Sequence, residues 1–460
     1  MSIVLVRNCN LERAKKYQTG GILMKIKAGK KAFAFVAIAS VATTIVAGCG
    51  SPSANSANGS ASTNKTSSQK AVTLSILWFN NGNEGKVLKK ITKQYQQLHP
   101  NIHFNIITVP YSNENTKLKT MIAGGQPPAL ARITDPGEFG SSLLNLSKYL
   151  NGTAFYNSFL DAAKPDTTVS GRLVAAPIDV TANGLFYNKT LFAKAGVKVP
   201  TSPNNVWTWT QWENAIKTVM KKSGARVGLA YDKSPFRFST LIYEAGGSIF
   251  TKNGKHMAIN STKATQAFTF FNQLNQSGII PKSIWLGNEN PNALFRTGTT
   301  AMDFSGNWMI QNYKSLPFKW GATYLPKKAI RSTVPGTDQI AAFKGSGVEK
   351  QAVAFLKYFM SPKINAEFCE QAFLLSSLKA NGDLKYPGAT PTVTDAMKVF
   401  ENELAATPPT PGRDWANPAM QQFQTPLKQY VIKMLQKKLT PQQTTNALQK
   451  IGTKILSQTK

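Results

Sequence analysis

The sequence predicts an α/β fold, and three adjoining stretches carry the prediction. In "VTLSILWF" (72–79), Val72, Leu74, Ile76 and Trp78 recur at every second position, the period of a strand. In "KVLKKITKQYQQLHP" (86–100), Leu88, Ile91, Tyr95 and Leu98 share one helical face, and Pro100 stops the helix. In "NIHFNIITV" (101–109), Ile102, Phe104 and Ile106 alternate again. Strand, helix and strand within about 38 residues make a βαβ unit, and so a parallel sheet covered by helices. Asn83 is placed to cap the helix. Ligands of such folds bind beside the carboxyl ends of strands, where Trp78 to Asn83 falls.

The two patterns keep alternating downstream. "KLKTMIAGG" (117–125) reads as a helix closed by glycine, and "PPALARITD" (127–135) as a strand ending at Asp135. "NVWTWTQWENAIKTVMKK" (205–222) reads as a helix capped by Thr208 or Thr210, which makes Trp207, Trp209 and Trp212 packing residues. Amphipathic helices follow at 263–278, 350–362 and 440–456. No internal repeat and no second long apolar stretch appears.

With 460 residues, 42% of them hydrophobic, the chain has room for two or three domains with real cores. Its 54 Lys and Arg outnumber 22 Asp and Glu. Residues 1–48 hold eight basic residues and one acidic, leaving the remainder at +25. The lysines are scattered, with no basic run beside interleaved aromatics, so nucleic-acid binding is not expected. The shortage of acids reads as surface chemistry, an adaptation to acid surroundings or to an anionic envelope. Three cysteines (Cys9, Cys49, Cys369) make no disulfide framework, and Pro100 between His99 and His103 spoils a helical zinc pair. No metal and no cofactor are expected.

The amino terminus is a targeting segment. Four lysines (25, 27, 30 and 31) precede an apolar run from Ala32 to Val46, marginally short for a membrane span and flanked as a secretory signal is. Met24 is the better start, making 1–23 an over-extended frame or a long basic leader and 24–48 the signal peptide. Its exit, Val46-Ala47-Gly48-Cys49, resembles the bacterial lipobox, in which the cysteine thiol carries diacylglycerol and becomes the first residue. Two or more acyl chains give durable anchoring. Residues 49–70, rich in Ser, Ala, Asn, Gly and Thr, then form a lipidated flexible tether.

Signatures of catalysis are missing: no G-x-S-x-G, H-E-x-x-H, P-loop or C-x-x-C occurs, and "GSGVEK" (345–350) is a turn entering a helix. Paired carboxylates for glycoside cleavage stay open as an alternative, because their separation is spatial. Aromatics at predicted strand ends and loops say more. A sugar offers apolar CH faces to a ring and hydroxyls to planar polar groups, and Trp78 beside Asn80, Asn81 and Asn83 supplies both kinds.

A specific resemblance runs from about residue 72 to 455. "GRLVAAPIDVTANGLFYNKTLFAKAGVKVP" (171–200) followed by "WTWTQWENA" (207–215) resembles the family 1 extracellular solute-binding proteins of ABC importers. In order, "IYEAGGSIF", "LFRTGTTAMDFSGNW", "YLP", "AVAFLKYFMSP" and "LTPQQTTNAL" match as well. The resemblance implies a two-lobed periplasmic-binding-protein clamp of type II, each lobe a mixed sheet flanked by helices. Lobe one would take 72–179 with 339–365 and lobe two 183–333 with 366–460, with hinge passages near 179–182, 332–338 and 360–366. Thr181 and Gly336 fall on the hinge.

By the same resemblance, Trp78, Asn81, Asp135, Glu138, Asp179, Phe236, Trp308 and Trp415 are the ligand-binding candidates, Trp308 in its Gly-x-Trp turn as the main stacking ring. The implied function is capture of a mono- or oligosaccharide by hinge closure and delivery to a permease, by a monomer anchored at Cys49 and facing the cell exterior or periplasm, without catalysis. Maltose-binding members carry an acid at the first passage, where this chain has Thr181, and another can stand at Ser234. A maltodextrin is therefore not specifically indicated, and a glycerol-phosphate-type anion remains an alternative.

Overall fold

The computed structural model describes residues 70–80 and 82–459. The expected signal peptide, Cys49, the tether up to residue 69, and Asn81 lie outside the described residues. In chain order the strands are β1 (Val72–Phe79), β2 (Ile102–Val109), β3 (Leu130–Ile133), β4 (Thr168–Val169), β5 (Arg172–Leu173), β6 (Ala175–Pro177), β7 (Asn183–Asn188), β8 (Val227–Tyr231), β9 (Thr300–Gly306), β10 (Trp320–Thr323) and β11 (Gln339–Ala342).

Two mixed sheets organise the molecule. The first has the order β2-β1-β3-β11-β6, and the second β10-β7-β9-β8, with β4 and β5 forming a small ribbon. The βαβ unit read from the sequence sits at the edge of the first sheet, where β1 pairs parallel to β2 from Val72↔Ile102 to Phe79↔Val109. β3 joins β1 in parallel, whereas β11 runs antiparallel to both β3 and β6. β11 therefore enters the middle of the first sheet after the whole second sheet has been traversed.

The strand period divides the cores. Leu74, Ile76 and Trp78 point to one face of the first sheet, into a core shared with the helices Glu84–Leu98, Glu349–Phe359 and Pro362–Ala372. Leu77, Ala131 and Ile133 point to the other face, with Leu118 and Phe343. Across the second sheet, Leu185 faces the large core of Trp209, Trp212, Phe238 and Phe271, while its neighbour Phe186 faces Phe295, Tyr313, Trp320 and Phe400. Trp209 and Trp212 pack as their helical context predicts. The helix Trp209–Ser223 is opened by Thr208 in a capping box with Gln211.

Two details differ from the sequence reading. Asn83 occupies the N-cap position of Glu84–Leu98 but makes no capping bond, because its side chain donates to the Gln371 carbonyl at 2.9 Å. The Asn80 side chain serves that helix end instead, accepting from Gly85 N at 2.7 Å. Beyond residue 360 the chain stays with the first core, since Ile364, Phe368, Cys369 and Leu378 are all buried there. The third passage expected at 360–366 thus falls inside or just before a lobe-one helix, and the chain first contributes to the other core at Phe373 and Leu375.

The other passages run side by side. Thr181 and Gly336 exchange both backbone bonds, Thr181 N to Gly336 O at 2.7 Å and Gly336 N to Thr181 O at 3.0 Å, and Val180 bridges to Leu375. No helix among the described residues is long and apolar enough to cross a membrane.

Candidate functional site

The cleft between the two lobes is floored by the paired passages. Gly336 lies so near its neighbours that a Cβ there would stand 2.8 Å from Thr181 Oγ1 and 3.0 Å from Phe236 Cζ. That puts a half-buried aromatic ring directly on the hinge. Phe236 belongs to the helix Pro235–Glu244, which Ser234 caps and Pro235 opens. Its ring meets Trp415 edge-on, with centroids 4.8 Å apart and planes at 73°. Trp415 is fixed in turn by its indole N–H, which donates to Ser239 Oγ at 3.0 Å.

Trp308 follows β9 in a turn that only glycine permits. A Cβ on Gly306 would fall 2.0 Å from the indole ring, so the ring lies against bare backbone. The Arg237 guanidinium covers it at 5.1 Å from the centroid and is itself held by Asp232 at 2.6 Å. Lobe two thus presents Phe236, Arg237, Trp308 and Trp415 as rings and one cation with fixed orientation.

Lobe one presents acids. β1 lies between β2 and β3, so the loops after β2 and β3 flank the carboxyl end of β1. Glu114 follows β2 and opens the helix Glu114–Ala123. Asp135 and Glu138 follow β3, where Asp135 accepts from Gly137 N at 2.9 Å and Glu138 meets Lys119 at 3.4 Å. Burial pushes Glu114 up to about 8, and the nearby charges of Glu138, Asp338 and Asp135 add to it. Burial, then the charge of Glu138, also raises Asp135. Tyr111, 56% exposed, lies against the Phe79 ring with centroids 5.1 Å apart. The lobes touch on both sides of this space: a Cβ on Gly82 would come 3.0 Å from Gln311 Cγ, and one on Gly137 would come 3.8 Å from Gln421 Oε1.

Of the candidates, Phe236, Trp308 and Trp415 lie on lobe two, and Asp135 and Glu138 follow β3 on lobe one. Trp78 joins neither group. It is fully buried, edge-on to Phe359 at 6.5 Å and to Phe368 at 6.0 Å, because the strand period puts it on the same face as Leu74 and Ile76. Asp179 is also fully buried, and its Oδ1 accepts from Asp338 N at 3.0 Å across the two passages. Burial, then the charge of Asp338, raises it well above the carboxylate range. Its place is a hinge clasp.

Arg132 completes this clasp from β3. It is fully buried, bonded to Asp338, 3.6 Å from Glu84 and 2.9 Å from the Phe79 carbonyl, with its guanidinium 4.3 Å over the Phe79 ring. Sequence reading missed Arg237, Glu114 and Arg132. Only Arg237 had a signal, next to Phe236 at the start of a helix.

A cavity of about 610 Å³ lies beside the hinge, bounded by Ala162 and Pro165 of lobe one, Pro335 of the hinge, and Lys252, Leu404 and Arg413 of lobe two. Neither Trp308 nor Phe236 lines it, so it is a neighbour of the aromatic cleft and not the cleft itself. Among the described residues no group of three His, Cys, Asp or Glu is placed to hold a metal ion.

Comparison with known proteins agrees with this architecture. The chain is similar to an ABC substrate-binding protein of Listeria monocytogenes solved with cycloalternan, at a TM-score of 0.73 and 22% identity over 85% of this chain and all of that one. It is 23% identical over 395 residues to a galactooligosaccharide-binding protein of Bacillus subtilis, covering 82% of this chain and 88% of that one. With an arabinooligosaccharide-binding protein of the same species it shares 23% identity over 267 residues, 55% of this chain and 56% of the relative. The family model described as bacterial extracellular solute-binding protein matches residues 80–366, more than half of the sequence. The chain belongs to the bacterial extracellular solute-binding proteins.

Proposed function

We propose that the protein captures a carbohydrate between its lobes and hands it, unaltered, to the permease of an ABC importer. The observation that carries this reading is the pairing of two unlike walls. Phe236, Trp308 and Trp415 on lobe two offer flat apolar faces, and Asp135 and Glu138 on lobe one offer carboxylates that would accept bonds from hydroxyls. Relatives named for galacto- and arabinooligosaccharides support the substrate class. Closure about Thr181 and Gly336 would enclose the ligand and present both lobes together to a membrane partner.

An anionic ligand of the glycerol-phosphate type is disfavoured by the same wall, since Asp135 and Glu138 would repel it. Cleavage is disfavoured as well. The carboxylates raised furthest by burial in lobe two serve other groups: Glu244 accepts from Trp209 Nε1 at 2.6 Å, Asp303 accepts from Tyr313 Oη at 2.7 Å, and Glu403 accepts from Leu325 N at 3.0 Å.

The deciding experiment is a panel of mono- and oligosaccharides in a thermal-shift assay, followed by product analysis. A binding sugar should raise the melting temperature with ligand concentration and be recovered intact. Cleaved sugar, or no shift with any saccharide, would sink the reading. Anchoring at Cys49 belongs to the same proposal, and Cys49→Ser should release the protein from the cell surface into the medium.

A further inference from the structure

We propose that the captured carbohydrate bears a protonated amine, which Glu114, Asp135 and Glu138 hold against the lobe-one wall. The inference rests on the carbohydrate reading and narrows its substrate class. Its first support is topological. Because β1 lies between β2 and β3, the loops carrying Glu114 and Asp135–Glu138 meet at one end of the sheet, and Lys119 of the Glu114 helix reaches Glu138 at 3.4 Å.

The second support is orphaned acceptors. Glu114 is 1% exposed, its Oε1 has no hydrogen-bond partner, and its carboxylate faces the charges of Glu138, Asp338 and Asp135. Glu138 Oε2 is likewise without a partner. A buried acceptor left unpaired is costly until a donor arrives.

The local charge count says what kind of donor fits. Asp338 and Glu84 share Arg132, which leaves Glu114, Asp135 and Glu138 facing Lys119 on this wall. In the opposite lobe Arg237 is bonded to Asp232. Glu114, pushed up to about 8 beside its acidic neighbours, is mostly protonated at neutral pH; a hydroxyl would satisfy an acceptor and leave it so, whereas an ammonium would both donate and bring the positive charge that lets it ionise. The chain as a whole carries +32, a field that repels cations, so attraction of an amine has to come from a local concentration of acids such as this one. A metal ion is the lesser candidate, because no ligand set of three is assembled among the described residues.

Calorimetry would compare glucosamine, galactosamine and the β-1,4-linked glucosamine dimer with their N-acetyl and their 2-hydroxy counterparts at neutral pH. The amine forms should bind about tenfold tighter than either counterpart, the difference between a charge-assisted bond and a neutral one. In Glu138→Gln and in Glu114→Gln the preference should shrink toward one. The half-buried Glu138 keeps the test intact should Glu114→Gln fold poorly. Neutral sugars binding as tightly as their amines would overturn this inference and leave the carbohydrate reading standing. A preference that survived both substitutions would overturn the residue assignment. Failure of every saccharide would remove the carbohydrate reading and this one with it.

Discussion

Trp78 and Trp308 separate two uses of the same side chain. Trp308→Ala should weaken sugar binding by about 2 kcal/mol, roughly thirtyfold in Kd, with little change in melting temperature, because its ring covers a glycine and lies under an arginine at the cleft. Titration by intrinsic fluorescence or calorimetry measures the first quantity, and a thermal melt the second. Trp78→Ala should do the reverse. It empties a fully buried site between two phenylalanines, a loss of about 3–5 kcal/mol of stability visible in denaturant unfolding. The sequence contained both answers in different form. Gly306-Asn307-Trp308 marks a ring held over bare backbone, and the alternation through Leu74, Ile76 and Trp78 already assigned the latter ring to a core face. Glu114 and Arg132 were not legible, because their neighbours come together only through the strand order.

At the scale of elements, the hinge makes the sharpest prediction. Gly336→Ala places a methyl 2.8 Å from Thr181 Oγ1 and 3.0 Å from the Phe236 ring, so the passages or the ring must move. Ligand affinity should fall by about tenfold or more, and small-angle scattering should show less compaction on adding sugar than the parent shows. Regular elements were largely legible, since their periods are local: β1, the capped helix Trp209–Ser223 and the terminal helix Pro441–Gln458 lie where the pattern puts them. Caps and passages were less so. Whether Asn80 or Asn83 serves the first helix depends on the Gln371 carbonyl, a partner 288 residues along the chain. The passage expected near 360–366 is displaced because Phe368 and Cys369 find their core in lobe one.

For the molecule as a whole, buried acids set an unusual pH response. Glu114 is pushed up to about 8, Asp303 and Glu403 to about 7, and Asp414 to about 6, each chiefly by burial. A carboxyl whose pKa is higher folded than unfolded binds more protons in the native state. Its contribution to stability is fully present below the unfolded value and is lost as pH rises through the folded one. The melting temperature should therefore climb as pH falls from about 8 toward 5, and a flat or falling profile over that window would contradict the burial described. The position of β11 has a different kind of consequence. It is the inner strand that connects β3 to β6, yet it leaves the ribosome only after lobe two has been made. Lobe one must wait, its sheet split, while some 160 residues of other structure emerge between β6 and β11. A chain held open in this way stays pliable for passage across a membrane, and its first sheet closes only once the residues through Ala342 have emerged.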